Sequence, residues 1–456
     1  MGMKPLSLRK IEEVTGGTYF GAPEEKDLLI TGVVRDNHDV KKGSLFVCFQ
    51  GEHVDGHDFA PEAFSSGAYA CLTEKNLSEN GGAYILVDST FEALKKLAEY
   101  YRSLFSIPII GITGSVGKTT TKEMIASVLS QKYKTLKTKG NLNNEIGVPL
   151  TLLSLEEEHE AAVIEMGISD FGEMKRLSKM VRPNICVMTV IGHSHLENLG
   201  NLEGVLRAKS EIFEYMPPDS TVMVNGDDEL LYAMEIKMPK ICYGFSKRND
   251  IYSENIKNLG TNGVAFDLVR KEKKLSASVH SFGKHLVSAA LSAAAVASFL
   301  SIDDEKLLQG FLDYAPVGGR ANVFSTDYIT IIDDAYNANP DSMKAGIQSL
   351  CELKGRRVAI LGDMKELGEK EIELHKNLGI LAGQSGLDVL ICCGALAEHI
   401  YQGGRTDGRM QVWYFSEKAE LFSVLPAMIQ KNDTILVKAS HSMAFEEIVN
   451  ELKTLV

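Results

Sequence analysis

The chain has 456 residues, 44% of them hydrophobic and 24% charged, and a formal net charge of -13. This is the composition of a folded globular protein, and at roughly 150 residues per domain the length implies about three domains. The acidic balance excludes a general nucleic-acid binder, although a Gly-rich loop with a few basic side chains can still hold an anion in an acidic protein.

The opening stretch "MGMKPLSLRKIEEVTGG" lacks an apolar run, so no signal peptide is expected. The region up to about residue 105 mixes short strands and helices: a strand at 43–49, a helix at 58–68, a strand at 84–87 and an amphipathic helix at 91–105. From "IPIIGIT" onward strands and helices alternate, with buried strands expected in "EAAVIEMG" (160–167), "NICVMTVIG" (184–192) and "STVMVNGDD" (220–228). That order predicts a mostly parallel, covered sheet. The polar segment 241–282 predicts short antiparallel strands. The Ala-rich stretch Leu286–Leu300 predicts a buried helix too short to span a bilayer. A Pro/Gly hinge follows at 314–320, and then a second alternating unit with strands near 328–336, 357–364, 389–394 and 434–440. Seven dispersed cysteines without a C-x-x-C pair suit reduced thiols in the cytoplasm.

The chemistry concentrates in "GITGSVGKTTTKE", Gly111 to Glu123. The usual phosphate loop reads G-x-x-x-x-G-K-[ST], yet Ile112 stands where its first Gly belongs. The loop Gly114-Ser115-Val116-Gly117 still follows a strand and opens a helix, the setting in which backbone N–H groups cradle phosphate. Lys118 supplies neutralising charge and Thr119 a hydroxyl suited to Mg²⁺. Other polar residues close predicted strands, where ligands of open α/β sheets bind. Glu165 could hold a hard cation, although alone it is an ordinary strand-end carboxylate. His193 and His195 form an H-x-H pair that no nearby Cys or third His completes as a zinc site. Lys209 alone would be a solvated helix lysine. The turn carrying Asn143 and Asn144 suits hydrogen bonding to a polar ligand, or plain turn chemistry. Asp334 closes a strand in the last unit, and Arg320 places a guanidinium at the hinge.

Together, the loop motif with "NLNNEIGVPLTLL", "EMG", "AKSEI", "DDAYNANPDSM" and "AILGDMKELGE", in this order, resembles the Mur ligase family. The N-terminal "DVKKGSLFVCFQGEHVDGHDFAPEAFSSGA" is similar to that family's uridine-nucleotide domain, so the resemblance spans nearly the whole chain. It implies an α/β fold of three domains. A UDP-substrate-binding domain covers 1–105, a central ATP-binding P-loop domain 106–316, and a Rossmann-like ligase domain 317–456. The two C-terminal motifs resemble the branch that acts on UDP-MurNAc-tripeptide and D-Ala-D-Ala. There ATP phosphorylates the tripeptide carboxylate, and the dipeptide amine attacks the acyl phosphate, a cytoplasmic step of peptidoglycan synthesis. The implied cofactors are ATP and two Mg²⁺ ions. The implied partners are these small molecules, with no nucleic acid, no membrane insertion and a monomeric chain.

Carried over by position, Lys118, Thr119 and Thr120 hold ATP phosphate, with Thr119 and Glu165 on the first Mg²⁺. His195 resembles the ligand of a second Mg²⁺, supported by Lys209 as the family's carbamylated lysine. Arg320 resembles the arginine that reaches ATP phosphates from the last domain, and Asp334 the aspartate near ribose. Asn143 and Asn144 match the substrate loop, Asp36 and Asn37 the uridine domain, and Lys438 and Ser440 the segment that seats the dipeptide. The resemblance also implies domain closure, because Arg320 and Asp334 lie on a different domain from the loop they serve. The chain departs from the family at Leu286 and Ala289, where Asn is expected, at Ala439 and His441 in "KASH", and at His38 in "DNH". These changes leave open a related amide ligase with a different amine or UDP-peptide, and a non-catalytic nucleotide-binding relative.

Overall fold

The computed structural model describes residues 3–455 other than 52, 53, 78–80, 272 and 407. Over these residues the strands form a five-, a nine- and a six-stranded sheet, plus a two-stranded ribbon. In the first sheet β1 (Thr18–Phe20), β2 (Gly32–Val34), β3 (Ser44–Val47), β4 (Ala70–Thr73) and β5 (Tyr84–Leu86) lie in the order β1-β5-β4-β3-β2. Only the β1–β5 pair is antiparallel. The helix α1 (Thr90–Ser103) leads out of this sheet.

The nine-stranded sheet contains β6 (Ile109–Thr113), β7 (Thr135–Lys137), β8 (Ala161–Glu165), β9 (Ile185–Met188), β10 (Thr221–Asn225), β11 (Lys240–Gly244), β12 (Ile251–Asn258), β13 (Val264–Arg270) and β14 (Lys273–Val279). Their spatial order is β14-β13-β12-β11-β10-β9-β6-β8-β7. β6 lies between β8 and β9, and all five of its residues are buried. The pleat divides them. Ile109 joins the core cluster under α1, while Ile110 and Ile112 join the cluster of α2 (Lys118–Leu129) and the Ala-rich helix His285–Phe299.

Segment 241–282 forms antiparallel β12–β14, but these strands extend the same sheet rather than making one of their own. β12 pairs with β11 in parallel before the chain reverses into β13. The sheet is therefore mixed at this end.

The six-stranded sheet contains β15 (Asn322–Ser325), β16 (Thr330–Asp333), β17 (Arg357–Gly362), β18 (Val389–Cys393), β19 (Gln411–Phe415) and β20 (Thr434–Lys438), in the order β15-β16-β20-β17-β18-β19. It is parallel except at β15. The sequence pattern missed β15 and β19, both edge strands.

The first sheet and the central sheet share one core. Leu8, Leu45 and Leu97 cluster with Ile164, Met174 and Met188. Tyr101 Oη on α1 donates to Leu155 O (2.5 Å), and Arg102 Nε to Val181 O (2.9 Å). The six-stranded sheet is built around clusters of its own. The N-terminal unit is thus fused to the central one, whereas the C-terminal unit keeps cores of its own, joined from the central unit by Phe282.

Candidate active site

The carboxyl ends of the central and C-terminal sheets face one cleft of about 820 Å³, lined from both sides by Lys118, Glu165 and His195 and by Arg320, Asp334 and Lys438. A crevice at the carboxyl ends of parallel strands is where open α/β sheets bind ligands. At the end of β6 the chain turns through Gly114 (φ 144°) and Gly117 (φ 82°) into α2. Both angles favour glycine, and a Cβ on Gly114 would run into the Thr189 hydroxyl. That hydroxyl donates to Val116 O (2.6 Å). Ser115 Oγ accepts from Gly192 N (2.9 Å) and donates to Gly192 O (3.0 Å). The loop is thereby fixed to the segment after β9, and the first-turn N–H groups of α2 lack helical partners. Lys118 Nζ bends back to Gly114 O (2.8 Å), and Thr120 also lines the cleft. Burial pushes the Lys118 ammonium down, against the opposing charge of Glu165, and Arg320 depresses it further. Such a group gains from a bound anion.

Behind the loop lies a buried carboxylate. Glu165 is 1% exposed. Its Oε2 accepts from Thr119 Oγ1 (2.8 Å) and its Oε1 from Asn143 Nδ2 (2.8 Å). Lys122 Nζ lies 3.7 Å from Glu165 Oε2, 3.0 Å from Glu123 Oε1 and 3.4 Å from Gly140 O. The side chain of Lys122 is fully buried. Sequence reading passed over this lysine. Its signal was a second Lys one helical turn after Lys118, just before the apolar run Met124–Ala126 of the same helix.

Asn144 Oδ1 accepts from Gly147 N (2.9 Å) and Ile146 N (3.2 Å), so it caps the following helix while lining the cleft. Lys209, on the helix Leu202–Ser210, is 1% exposed, and its amine forms no hydrogen bond or ion pair among the described residues. Burial holds its amine well below the usual lysine value, and Lys118 adds to the effect. It is not the solvated lysine that its surroundings in sequence suggested.

From the C-terminal unit, Asp334 Oδ2 accepts from Lys438 Nζ (2.6 Å), and Asp334 Oδ1 from Ala321 N (3.2 Å). The Arg320 guanidinium lies 3.9 Å over the Tyr336 ring, which stacks on His441 at 5.2 Å. Ala289 lines the cleft, whereas Leu286 is buried in the core. Ser440 does not face the cleft: its Oγ accepts from Lys365 N (2.9 Å). Asp36 and Asn37 also lie outside it, at the end of β2, where Asp36 Oδ1 accepts from His38 N (2.9 Å).

The donor set suits Mg²⁺ that is shared with phosphate. Thr119 and Glu165 present adjacent hard oxygens behind the phosphate loop, on the wall of the cleft. Among the described residues, no group of three His, Cys, Asp or Glu could hold a metal alone. Mg²⁺ commonly takes one or two carboxylates and fills its other positions with phosphate and water.

Three Mur ligase family models match the chain: the family's catalytic-domain model at residues 29–102, its middle-domain model at 112–297 and its glutamate-ligase-domain model at 319–441. The UDP-N-acetylmuramoyl-tripeptide–D-alanyl-D-alanine ligase of Bacillus subtilis is 36% identical over 98% of this chain and 98% of its own length. The chain belongs to the Mur ligase family. The enzyme of the same name from Escherichia coli is 33% identical over 99% of both chains. The crystal structure of MurF from Acinetobacter baumannii superposes with a TM-score of 0.90 at 29% identity, covering 99% of each chain. MurF from Thermotoga maritima, solved in complex with ADP, gives a TM-score of 0.82 at 27% identity, covering 92% of this chain and 97% of that one. In this Mur ligase the phosphate loop, the Glu165 cluster and the Arg320–Tyr336 pair therefore sit within a fold shared over essentially the full length of its relatives.

Proposed function

We infer that the chain is an ATP-dependent ligase that joins D-Ala-D-Ala to UDP-MurNAc-tripeptide, giving UDP-MurNAc-pentapeptide for peptidoglycan. The full-length match to enzymes of that name carries the reading. The cleft supplies a chemical rationale, because it gathers cationic and hydrogen-bonding groups from two domains around a phosphate loop. A carboxylate attacking phosphate brings two anions together. Lys118 and the amides of the loop offset that charge, and Arg320 adds to it from the facing domain. Holding nucleotide and peptide in one cleft supplies the proximity. The carboxylate oxygen displaces ADP from the γ-phosphorus. The dipeptide amine then attacks the acyl carbon, and phosphate leaves.

Thr119 and Glu165 would hold one Mg²⁺, and His195 with Lys209 a second. The ions would supply further charge neutralisation on the phosphates. As an ammonium Lys209 would repel a cation, but its depressed amine suits carbamylation. Its nitrogen adds to CO₂, a proton leaves, and an anion results. Asn143, Asn144 and Lys438, which line the cleft, would meet the peptide substrates, and Asp334 the nucleotide. Asp36 and Asn37 would act from the N-terminal unit on the uridine end, and Ser440 indirectly, through the backbone of Lys365. We divide the chain at about 106 and 317, a reading supported by its three sheets. No helix of the described residues is long and apolar enough to cross a membrane. We place the enzyme in the cytoplasm as a monomer.

The reading is tested by phosphate release from ATP and Mg²⁺. Release should require both UDP-MurNAc-tripeptide and D-Ala-D-Ala and should accompany pentapeptide formation. Turnover with another amine in place of the dipeptide would overturn it.

Lys209→Met separates a chemical role from a structural one. A buried, unpaired ammonium costs stability, because the unfolded chain binds the proton that the folded one disfavours. In the wild type this contribution improves as pH rises from the depressed value towards 10.5. Met fills similar space without that cost, so the variant should melt at or above the wild-type temperature while losing ligase activity. A variant that melts well below wild type would instead mark Lys209 as a structural residue.

A further inference from the structure

No residue of "GDMKELGE" (362–369) lines the cleft, yet this segment reaches the site from outside it. Glu366 Oε2 lies 2.5 Å from His195 Nδ1. Both residues adopt left-handed backbone conformations (φ 63° for Glu366, 53° for His195) that non-glycine residues rarely take. The two segments are pressed together: a Cβ built on Gly368 would lie 3.3 Å from Glu197 Cα. Beside this contact Asp341 Oδ2 accepts from His193 N (2.7 Å) and lies 3.1 Å from His193 Nδ1. Two carboxylates of the C-terminal domain thus grip the two histidines of one central-domain loop.

We propose that Glu366 is a positioning residue for His195, and that it acts only when the C-terminal domain is docked on the central one. The proposal rests on the reading of His195 as an ion ligand. A carboxylate that accepts Nδ1–H fixes the tautomer and ring orientation and leaves the Nε2 lone pair available. Because the carboxylate comes from another domain, the ligand is oriented only in the closed form. The left-handed angles at both residues suit such a clamp, since conformations that side chains rarely adopt persist where surrounding contacts hold them. Closure then completes the cation site, which ties formation of the reactive phosphate to the presence of the C-terminal domain and of the dipeptide-binding residues it carries.

The test is Mn²⁺ titration of the full-length protein with ADP present, followed by electron paramagnetic resonance, on the wild type, Glu366→Ala, Glu366→Gln and His195→Ala. Removing an outer partner of a metal-bound histidine typically weakens metal binding about 10- to 100-fold. Glu366→Ala should weaken the His195-dependent ion to that extent and leave the ion near Thr119 and Glu165 unaffected. Glu366→Gln, which keeps an acceptor oxygen but loses the charge, should fall between Glu366→Ala and wild type. Thermal melting of each variant identifies any that fails to fold, and Glu366→Gln keeps the question open to measurement if Glu366→Ala does. If His195→Ala loses an ion and both Glu366 variants bind it as wild type does, the positioning role is wrong. If His195→Ala loses no ion, the underlying ligand reading fails instead.

Discussion

Lys118→Ala gives a folded protein that still binds UDP-peptide but releases phosphate at least 10²- to 10³-fold more slowly, the loss expected when a preorganised group facing developing charge is removed. The lysine lines the cleft and its ammonium hydrogen-bonds only to Gly114 O, so its removal costs one hydrogen bond at a buried carbonyl and breaks no ion pair of the loop. The loop itself is held by Ser115 and Thr189, which the substitution does not touch. The effect should appear in kcat more than in the melting temperature. Rapid-quench measurement of phosphate release, with melting as control, checks this. A variant that keeps wild-type kcat would remove Lys118 from the chemistry.

Lys122→Ala is expected to act in the opposite way, chiefly on stability. It leaves the fully buried Glu165 carboxylate hydrogen-bonded only by the neutral donors Thr119 and Asn143, with Lys118 as the charged group that still acts on it from the loop. Glu123 keeps a second partner, with Lys137 Nζ at 2.5 Å, so the deficit falls mainly on Glu165. Breaking a buried ion pair from one side costs about 3–5 kcal/mol, which for a domain of this size lowers the melting point by about 10 °C. The sign of the pH dependence follows. An unpaired buried carboxylate has its pKa raised on folding, so the folded state binds the extra proton and stability falls as pH rises. The gap between variant and wild type should therefore narrow on going from about pH 8 to about pH 5. Melting curves across that range decide it. A gap that is constant with pH would mean that packing of the lysine stem, not its charge, is what the core loses.

The phosphate loop was legible because its chemistry is local: two glycines, a lysine and a threonine between a strand and a helix need no distant partner to be recognised. The strands around it were legible because they are buried on both faces and read as continuous apolar runs. The edge strands β15 and β19 were not, since half of each faces solvent. "QVWYF" carries β-favouring residues but no buried run, and Trp413 remains 50% exposed. The mixed end of the central sheet was missed for a different reason. Strand type was readable, but which sheet a hairpin joins is a tertiary choice. Glu366 and Asp341 were hidden because their partners, His195 and His193, lie about 150 or more residues away on another domain. Taken alone Lys209 reads as solvated, because burial of a single lysine leaves no mark in its neighbours, and it was singled out only through the family resemblance.

At the centre of the proposed function, the cleft forms an acyl phosphate from the tripeptide carboxylate and ATP. The most direct test uses UDP-MurNAc-tripeptide with ¹⁸O in its terminal carboxylate, incubated with the protein, ATP, Mg²⁺ and D-Ala-D-Ala, and mass analysis of the phosphate released. The account predicts one ¹⁸O in each phosphate and the other retained in the new amide. Unlabelled phosphate, or release that proceeds without the peptide, would contradict it.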